Sequence, residues 1–226
     1  DITSPLKNFR WQVYQQFPHR KDAIMNLLDA LSGYGRQCRS VIELSETPPF
    51  KRKYTSITDA IGDGLPSADW DAIQKLHYLF SGEQQQDTPP CFLVDCTPAP
   101  RPHAETLDER QMVHSPTTTP GNKPVVVGRN YSVVALLSKT PQAPSDKHWL
   151  VPLSAERVLP QEQGHVKGIL QIEAIRKQLK LTDKLCVSVG DSAYGSESAR
   201  REVAKTANRI HIFRLASNRN VYSLVN

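Results

Sequence analysis

Hydrophobic residues recur at helical spacing in the first third of the chain. Over residues 20–35 they follow the repeat of an amphipathic helix, which we expect to end at Gly33 and Gly35. The repeating positions are Ile24, Leu27, Leu28 and Leu31. A second helix is expected over residues 67–80, with a face formed by Trp70, Ile73, Leu76, His77 and Phe80. The N-terminal region is therefore predicted to be mainly helical.

Short apolar runs that end in an aspartate stand out in the rest of the chain. The run Cys91–Val94 leads to Asp95, and the run Leu185–Gly190 leads to Asp191. Runs of this length and composition are typical of strands buried on both faces, and we expect each aspartate to end its strand. If the two strands are neighbours, about 4.8 Å apart, both carboxylates lie at one end of a sheet. That arrangement can hold a hard divalent cation.

The remaining pattern alternates strands with helices. Strands are predicted over residues 125–127, 131–137, 148–153 and 210–216, and helices over residues 168–181 and 197–205. Ser196 is the expected N-cap of the second helix, and Pro152 is expected near an edge or strand end. The proline-rich stretch 97–124 is predicted to be a long loop. The order is a strand ending in Asp95, two antiparallel strands, a helix, a strand ending in Asp191, a helix and a last strand. This order predicts an α/β fold with a ribonuclease H-like mixed sheet, in which the first and fourth strands, those of Asp95 and Asp191, are neighbours.

A polar segment over residues 81–90, ending in Pro89 and Pro90, divides the helical region from the sheet. We therefore predict a mainly helical N-terminal region over residues 1–88 and a second domain, which contains the sheet, over residues 89–226. Within the first region, Lys51-Arg52-Lys53 forms a basic triplet between Phe50 and Tyr54. The triplet suits either contact with DNA phosphates or a solvated turn held by two aromatic core anchors.

The positive charge of the chain is unevenly placed. The formal net charge is +5, and residues 200–226 carry six Lys or Arg residues against the single acid Glu202. A solvated surface is the ordinary interpretation of such a run. Because the run follows Asp191 directly, we favour binding of a polyanion in the same cleft.

The cysteines and the lengths of the apolar runs exclude further classes of protein. None of the four cysteines forms a C-x-x-C pair, so reduced core residues are expected rather than disulfides or zinc ligands. No apolar run approaches the roughly 18–20 residues of a membrane span, and the N-terminus lacks the apolar core of a secretion signal. We expect a protein of the cytoplasm that does not associate with a membrane.

Four segments, taken in order and spacing, resemble the DDE transposases of bacterial insertion sequences. The segments are Phe92–Thr97, Gly128–Ser132, Gly190–Gly195 and Phe213–Tyr222. The likeness covers residues from about 90 to 226, and residues 44–61 also look like the leader segment of such transposases.

This resemblance implies a chemistry, partners and a site. Asp95 and Asp191 match the two aspartates that, with a glutamate, hold two Mg²⁺ (or Mn²⁺) ions for phosphoryl transfer. The partners would be double-stranded DNA at the transposon ends and target, bound by a homodimer when active and associated with the nucleoid. The N-terminal region over residues 1–88 becomes a candidate for binding DNA ends, and residues 89–226 become a catalytic core that is incomplete at its C-terminus. The candidate DNA-binding residues of the basic segment are Arg200, Arg201, Arg214 and Arg219.

The chain departs from the family pattern at the third acid, the glutamate. It is expected on a helix after the basic strand, and the chain, which begins at Asp1 without a methionine, stops at Asn226. We therefore expect a C-terminally truncated, catalytically silent piece of a longer protein. Glu173 has a position reminiscent of the ribonuclease H glutamate, but its neighbours Arg176 and Lys177 favour a surface role.

Several alternatives stay open at this point. An aspartate at a strand end can be structural, bonding to amides of the following turn. Three functions fit the sequence. The first is a transposase core whose third acid lies elsewhere, and the second is a transposase remnant that only binds DNA or regulates an active relative. The third is a ribonuclease H-like nuclease, which would need a third acid within these residues.

Overall fold

The computed structural model describes residues 3–38, 40–82, 88–115, 124–139 and 148–215, with no side-chain description for Lys139 and His148. The chain packs as two compact units, residues 1–76 and 77–226. The predicted boundary at residue 88 follows residues 83–87, which lie outside the described ranges. The division into a DNA-end-binding region over 1–88 and a catalytic core over 89–226 therefore stays a prediction.

Helices form the first unit. They are α1 (Thr3–Gln15), α2 (Lys21–Tyr34), α3 (Val41–Ser45), α4 (Thr55–Asp59) and α5 (Trp70–Phe80), the last of which continues into the second unit. The helix over 20–35 is confirmed by α2. Its predicted apolar face is only partly buried, since Ile24 and Leu27 lie in the core while Leu31 is 45% exposed. The helix predicted from Ser67 begins later, because a 3-10 turn containing Pro66 occupies Leu65–Ser67.

The second unit is built on a six-stranded mixed sheet. Its strands are β1 (Cys91–Pro100), β2 (Gln111–His114), β3 (Val125–Lys139), β4 (His148–Val158), β5 (Cys186–Gly190) and β6 (Arg209–Phe213). Strand β1 pairs antiparallel with β3 on one side and parallel with β5 on the other, and β6 pairs parallel with β5. Strands β2 and β4 follow one another along the other edge of β3. This is the predicted ribonuclease H-like α/β fold, with its first and fourth predicted strands as neighbours.

The stretch after Asp95 differs from the sequence expectation. Strand β1 continues to Pro100, so Asp95 lies within the strand, and β2 lies inside the predicted loop 97–124. The Pro90 carbonyl accepts a hydrogen bond from Val187 of β5, so even-numbered residues of β1 direct their backbone groups toward β5. Pairing with β5 stops at Leu93, and Pro98 and Pro100 therefore place their missing donors along an open edge. Prolines that suggested a loop are compatible with this half-paired strand.

Two helices cover one face of the sheet. They are α6 (Gly164–Gln178) and α7 (Glu197–Ala204), and Ser196 caps α7 as expected by accepting a hydrogen bond from the Ala199 amide. The core beneath them is formed by residues that include Phe92, Val94, Val134, Leu136, Ile169, Ile172 and Cys186. Alternation of side chains then directs the odd-numbered residues of β1, among them Asp95, to the opposite face. Among the described residues, no helix is long and apolar enough to cross a membrane.

Candidate active site

Asp95 and Asp191 occupy the same level of two neighbouring parallel strands. Leu93 of β1 pairs with Val189 of β5, and each aspartate follows its member of that pair by two residues. Both aspartates are exposed. The structure therefore brings together the two carboxylates selected from the sequence, at the point where pairing between β1 and β5 ends. Asp191 follows the end of its strand as predicted, whereas Asp95 does not end β1.

A tight turn fixes the carboxylate of Asp191. Its Oδ1 accepts a hydrogen bond of 2.9 Å from the Ala193 amide and so caps the 3-10 turn Ser192–Gly195. Gly190 permits this turn, since a Cβ at that position would lie 2.6 Å from Cγ of Tyr194. Asp95 is held in a similar way, because its Oδ1 accepts a hydrogen bond of 2.8 Å from the Cys96 amide. Each carboxylate thus combines a structural bond with a second oxygen that has no hydrogen-bond partner among the described residues.

The two carboxylates act electrostatically on the same neighbours. The pKa of the Cys96 thiol is raised, mainly by burial and further by Asp95 and Asp191. Burial also raises the pKa of the Tyr194 phenol, and the negative charges of Asp95 and Asp191 add to that shift. The Tyr194 hydroxyl is buried and has no partner of hydrogen-bonding geometry in the described part of the chain. Two carboxylates beside neutral, poorly solvated groups make a local negative potential that favours a cation.

Arg214 follows β6 at the level where Asp191 follows the neighbouring strand β5. Phe213 of β6 pairs with Gly190, so Arg214 and Asp191 are the next residues on neighbouring strands. Arg214 is exposed, as are Arg200 and Arg201 on α7, and Arg201 forms an ion pair with Glu197. The fourth predicted DNA-binding residue, Arg219, lies outside the described residues.

Arg209 belongs to the basic segment by sequence but not to its exposed surface. Its Nε donates to Ser188 Oγ at 3.2 Å, and both terminal nitrogens are buried without hydrogen-bond partners in the described ranges. Burial lowers the pKa of Arg209 to about 10. One of the six cations of the basic segment therefore points into the protein.

His165 was not selected from the sequence, because a lone histidine gives no pattern. It lies in the first turn of α6, and its Nε2 is 3.0 Å from Ser198 Oγ, which donates to Gln163 Oε1. Burial lowers the pKa of His165, while Asp191 acts in the opposite direction. This electrostatic interaction places His165 in the neighbourhood of Asp191.

Glu173 does not have the surface role expected from its sequence neighbours. Its Oε2 accepts a hydrogen bond of 2.8 Å from Arg176, whose side chain is 1% exposed. Arg176 also donates to the carbonyl groups of Thr182, Ala207 and Asn208. These carbonyls precede β5 and β6, so Glu173 lies at the amino ends of the strands whose carboxyl ends carry Asp191 and Arg214. The described parts of the chain contain no group of three or more His, Cys, Asp or Glu residues that could hold a metal ion.

A comparison with protein families agrees with this arrangement. A family model described as DDE superfamily endonuclease matches residues 12–225. The chain therefore belongs to the DDE superfamily endonucleases, a family of transposases and nucleases. No curated protein matches the chain.

Proposed function

We propose that this chain is the DNA-cleaving and DNA-joining core of a DDE transposase, with Asp95 and Asp191 as its metal-binding catalytic aspartates. The observation that best supports this proposal is the register of the two aspartates. Both lie two residues beyond the paired Leu93 and Val189, on neighbouring strands of a ribonuclease H-like sheet. Membership of the DDE superfamily endonucleases supports DNA as the substrate. We further propose that the substrate is DNA at the ends of an insertion sequence, which the protein cuts and joins to a target.

The donor set fits a hard divalent cation. Mg²⁺ and Mn²⁺ prefer carboxylate oxygens and keep several positions for water and substrate phosphate. Asp95 and Asp191 each offer one oxygen that the described residues leave without a hydrogen bond, and both side chains face solvent. When bound there, the metal ions would activate an attacking oxygen and stabilise the leaving oxygen of phosphoryl transfer.

The chain's own residues would hold and orient the DNA. Arg214, next to Asp191 in register, is placed to contact a phosphate that approaches the two carboxylates. Arg200 and Arg201 at the exposed surface of α7 add positive charge in the same segment, and Arg219 is proposed as a further contact. The hydrogen bonds from Ala193 and Cys96 fix the orientation of the two carboxylates before substrate binds.

A third carboxylate would come from residues that the structure does not describe. The ion pair of Glu173 with Arg176, at the amino ends of β5 and β6, argues against Glu173 in that role. This observation weakens the alternative of a ribonuclease H-like nuclease that uses Glu173. A transposase remnant that binds DNA and regulates an active relative remains the second candidate, since two carboxylates alone position a second ion poorly.

The test is strand cleavage on DNA that carries the ends of the element, with Mg²⁺ or Mn²⁺. We expect no or very weak cleavage by the 226-residue chain, because two carboxylates position a second ion poorly. In a form of the protein that has the third carboxylate and cleaves, Asp95→Asn and Asp191→Asn should abolish cleavage, whereas Glu173→Gln should retain it in the fraction that is folded. Robust cleavage by the 226-residue chain that Glu173→Gln removes would overturn the proposal in favour of the nuclease.

A further inference from the structure

A large aromatic side chain on α1 is left exposed in the first unit. Trp11 is 60% exposed, although a tryptophan ordinarily buries most of its large apolar surface. Val13 is the buried residue of this helix, so Trp11 does not anchor α1 to the core. A ring in this position is available to a binding partner.

Neighbouring side chains hold the Trp11 ring in place. The Tyr14 ring stacks on it, with centroids 5.5 Å apart and an angle of 18° between the planes. Tyr14 is itself held, because its hydroxyl donates to Asp22 Oδ1 at 2.9 Å and the Lys21 ammonium lies 4.9 Å from its ring centroid. The stack is therefore oriented before any partner binds, which reduces the entropy lost on binding.

Two lysines flank this stack. Lys7 lies one helical turn before Trp11 and has no ion-pair partner in the described ranges, and Lys21 lies over Tyr14. A depression of about 330 Å³ beside the ring is lined by Lys7, Arg10, Trp11, Tyr14 and Met25. That volume falls at the small end of ligand clefts, which range from about 300 to 1,000 Å³.

The depression continues into a second, more polar cleft. Arg10 and Met25 line both, and the second cleft, about 520 Å³, also includes Lys51 and Arg52 of the basic triplet. Asp22 and Asp29 line it as well, but they are bound to Arg52 and Arg10. Phe50 is the core anchor beneath the triplet, at 5% exposure, whereas Tyr54 is 47% exposed. Lys51 has no described ion-pair partner and faces this cleft.

We propose that Lys7, Trp11 and Tyr14 of α1, together with Lys21 at the start of α2, bind single-stranded or locally unpaired DNA. These four residues are called the α1 patch. An unpaired base would stack on the Trp11 ring, and the backbone phosphates would follow the cations toward Lys51. Aromatic rings beside a positively charged groove are the combination by which proteins hold single strands without reading sequence. The proposal rests on the proposed function for its choice of DNA, and adds that the first unit holds a strand with exposed bases.

The experiment measures binding of the purified chain to oligothymidylate and to duplex DNA of equal length, by anisotropy and by quenching of tryptophan fluorescence. Trp11→Ala should weaken binding to oligothymidylate between about 5-fold and about 150-fold, the range found for removal of one stacking ring. Trp11→Phe should retain most of the affinity while the quenching is lost. Lys7→Ala should reduce the salt slope by about 0.7, the value for one single-strand phosphate contact. Lys75→Ala, an exposed lysine of α5, is the matched control and should change neither quantity.

The outcomes separate this inference from the proposed function. No binding to either DNA would contradict the proposed function itself. Binding that Trp11→Ala leaves unchanged, with no quenching in the unsubstituted chain, would overturn the α1 patch alone. A dimer in sedimentation that Trp11→Ala converts to monomer, with DNA affinity unchanged, would assign the ring to contact with a second copy and would also overturn the inference.

Discussion

The Glu173 carboxylate accepts a hydrogen bond of 2.8 Å from the Arg176 guanidinium, in the interior of the second unit. The Arg176 side chain is 1% exposed and the Glu173 side chain 16% exposed, so this ion pair is largely removed from water. Arg176 also binds backbone carbonyls that precede β5 and β6. The pair therefore ties α6 to the amino ends of two strands and has a structural role.

Glu173→Gln should destabilise the protein, because it leaves the buried Arg176 without its negative partner. We expect a loss of about 1.5–3 kcal/mol in the free energy of unfolding, the range for a hydrogen bond to a charged group. Urea denaturation measures it. Glu197→Gln is the matched control, since Glu197 pairs with Arg201 at the surface and exposed pairs contribute little. Equal stability of the two variants would show that the buried pair does not have this role.

Gly190→Ala should destabilise the turn that carries Asp191. The new Cβ would lie 2.6 Å from Cγ and 2.8 Å from Cβ of Tyr194, and these atoms cannot move aside like the end of a flexible side chain. A cost of about 1–3 kcal/mol is expected from overpacking. Gly33→Ala, within α2 and with open space around it, should stabilise by about 0.5–1 kcal/mol. Thermal unfolding of both variants checks the opposite signs, and a stabilising Gly190→Ala would contradict the described turn.

The protein should lose stability as the pH falls below about 6.5, partly through His211. Burial, and secondly the charge of Arg209, lower the pKa of His211, whose Nδ1 lies 2.8 Å from Ser188 Oγ. The unfolded chain, with a histidine pKa near 6.5, then binds more protons than the folded chain. Stability from this group is therefore complete above about pH 6.5 and decreases as the pH falls toward the lower folded-state pKa.

His211→Asn should reduce that decrease between pH 7.5 and pH 5.5, measured as the free energy of unfolding in urea. His19→Asn, at an exposed position, is the control and should leave the decrease as it is in the unsubstituted chain. The assignment is wrong if His211→Asn and the unsubstituted chain lose the same amount of stability across this interval.

Arg214 and Arg219 should contribute phosphate contacts to duplex DNA. Removing one such contact lowers the slope of log affinity against log salt by about 0.9. The slope of the Arg214→Ala, Arg219→Ala double variant should therefore be lower by about 1.8. The measurement is anisotropy of labelled duplex DNA over a series of salt concentrations. Lys184→Ala, an exposed lysine before β5, serves as control. Unchanged affinity and slope in the double variant would reject both contacts.

Much of the second unit could be predicted from the sequence because its signals are local. The apolar runs before Asp95 and Asp191 and the cap at Ser196 each depend on a few neighbouring residues. The extension of β1 through Pro98 and Pro100 could not be predicted, since it depends on where the partner strand β5 stops. The burial of Arg176 and Arg209 was also hidden, because their surroundings are formed by residues distant in sequence.

The same reasoning explains what was missed at the site. His165 lies near Asp191 only because α6 packs on the sheet beside α7, and no spacing in the sequence records that contact. Glu173 carried a misleading signal, since the basic neighbours that suggested a solvated surface include its buried partner Arg176.

The central claim is that Asp95 and Asp191 together hold a divalent cation, and the most direct measurement is titration calorimetry of Mn²⁺ binding to the chain. Adjacent carboxylates should bind the ion, and Asp95→Asn or Asp191→Asn should each weaken binding at least about tenfold, since either change removes one of two anionic ligands. Asp183→Asn, at an exposed position before β5, should leave the affinity unchanged. Mn²⁺ binding that neither Asp95→Asn nor Asp191→Asn weakens would contradict the account.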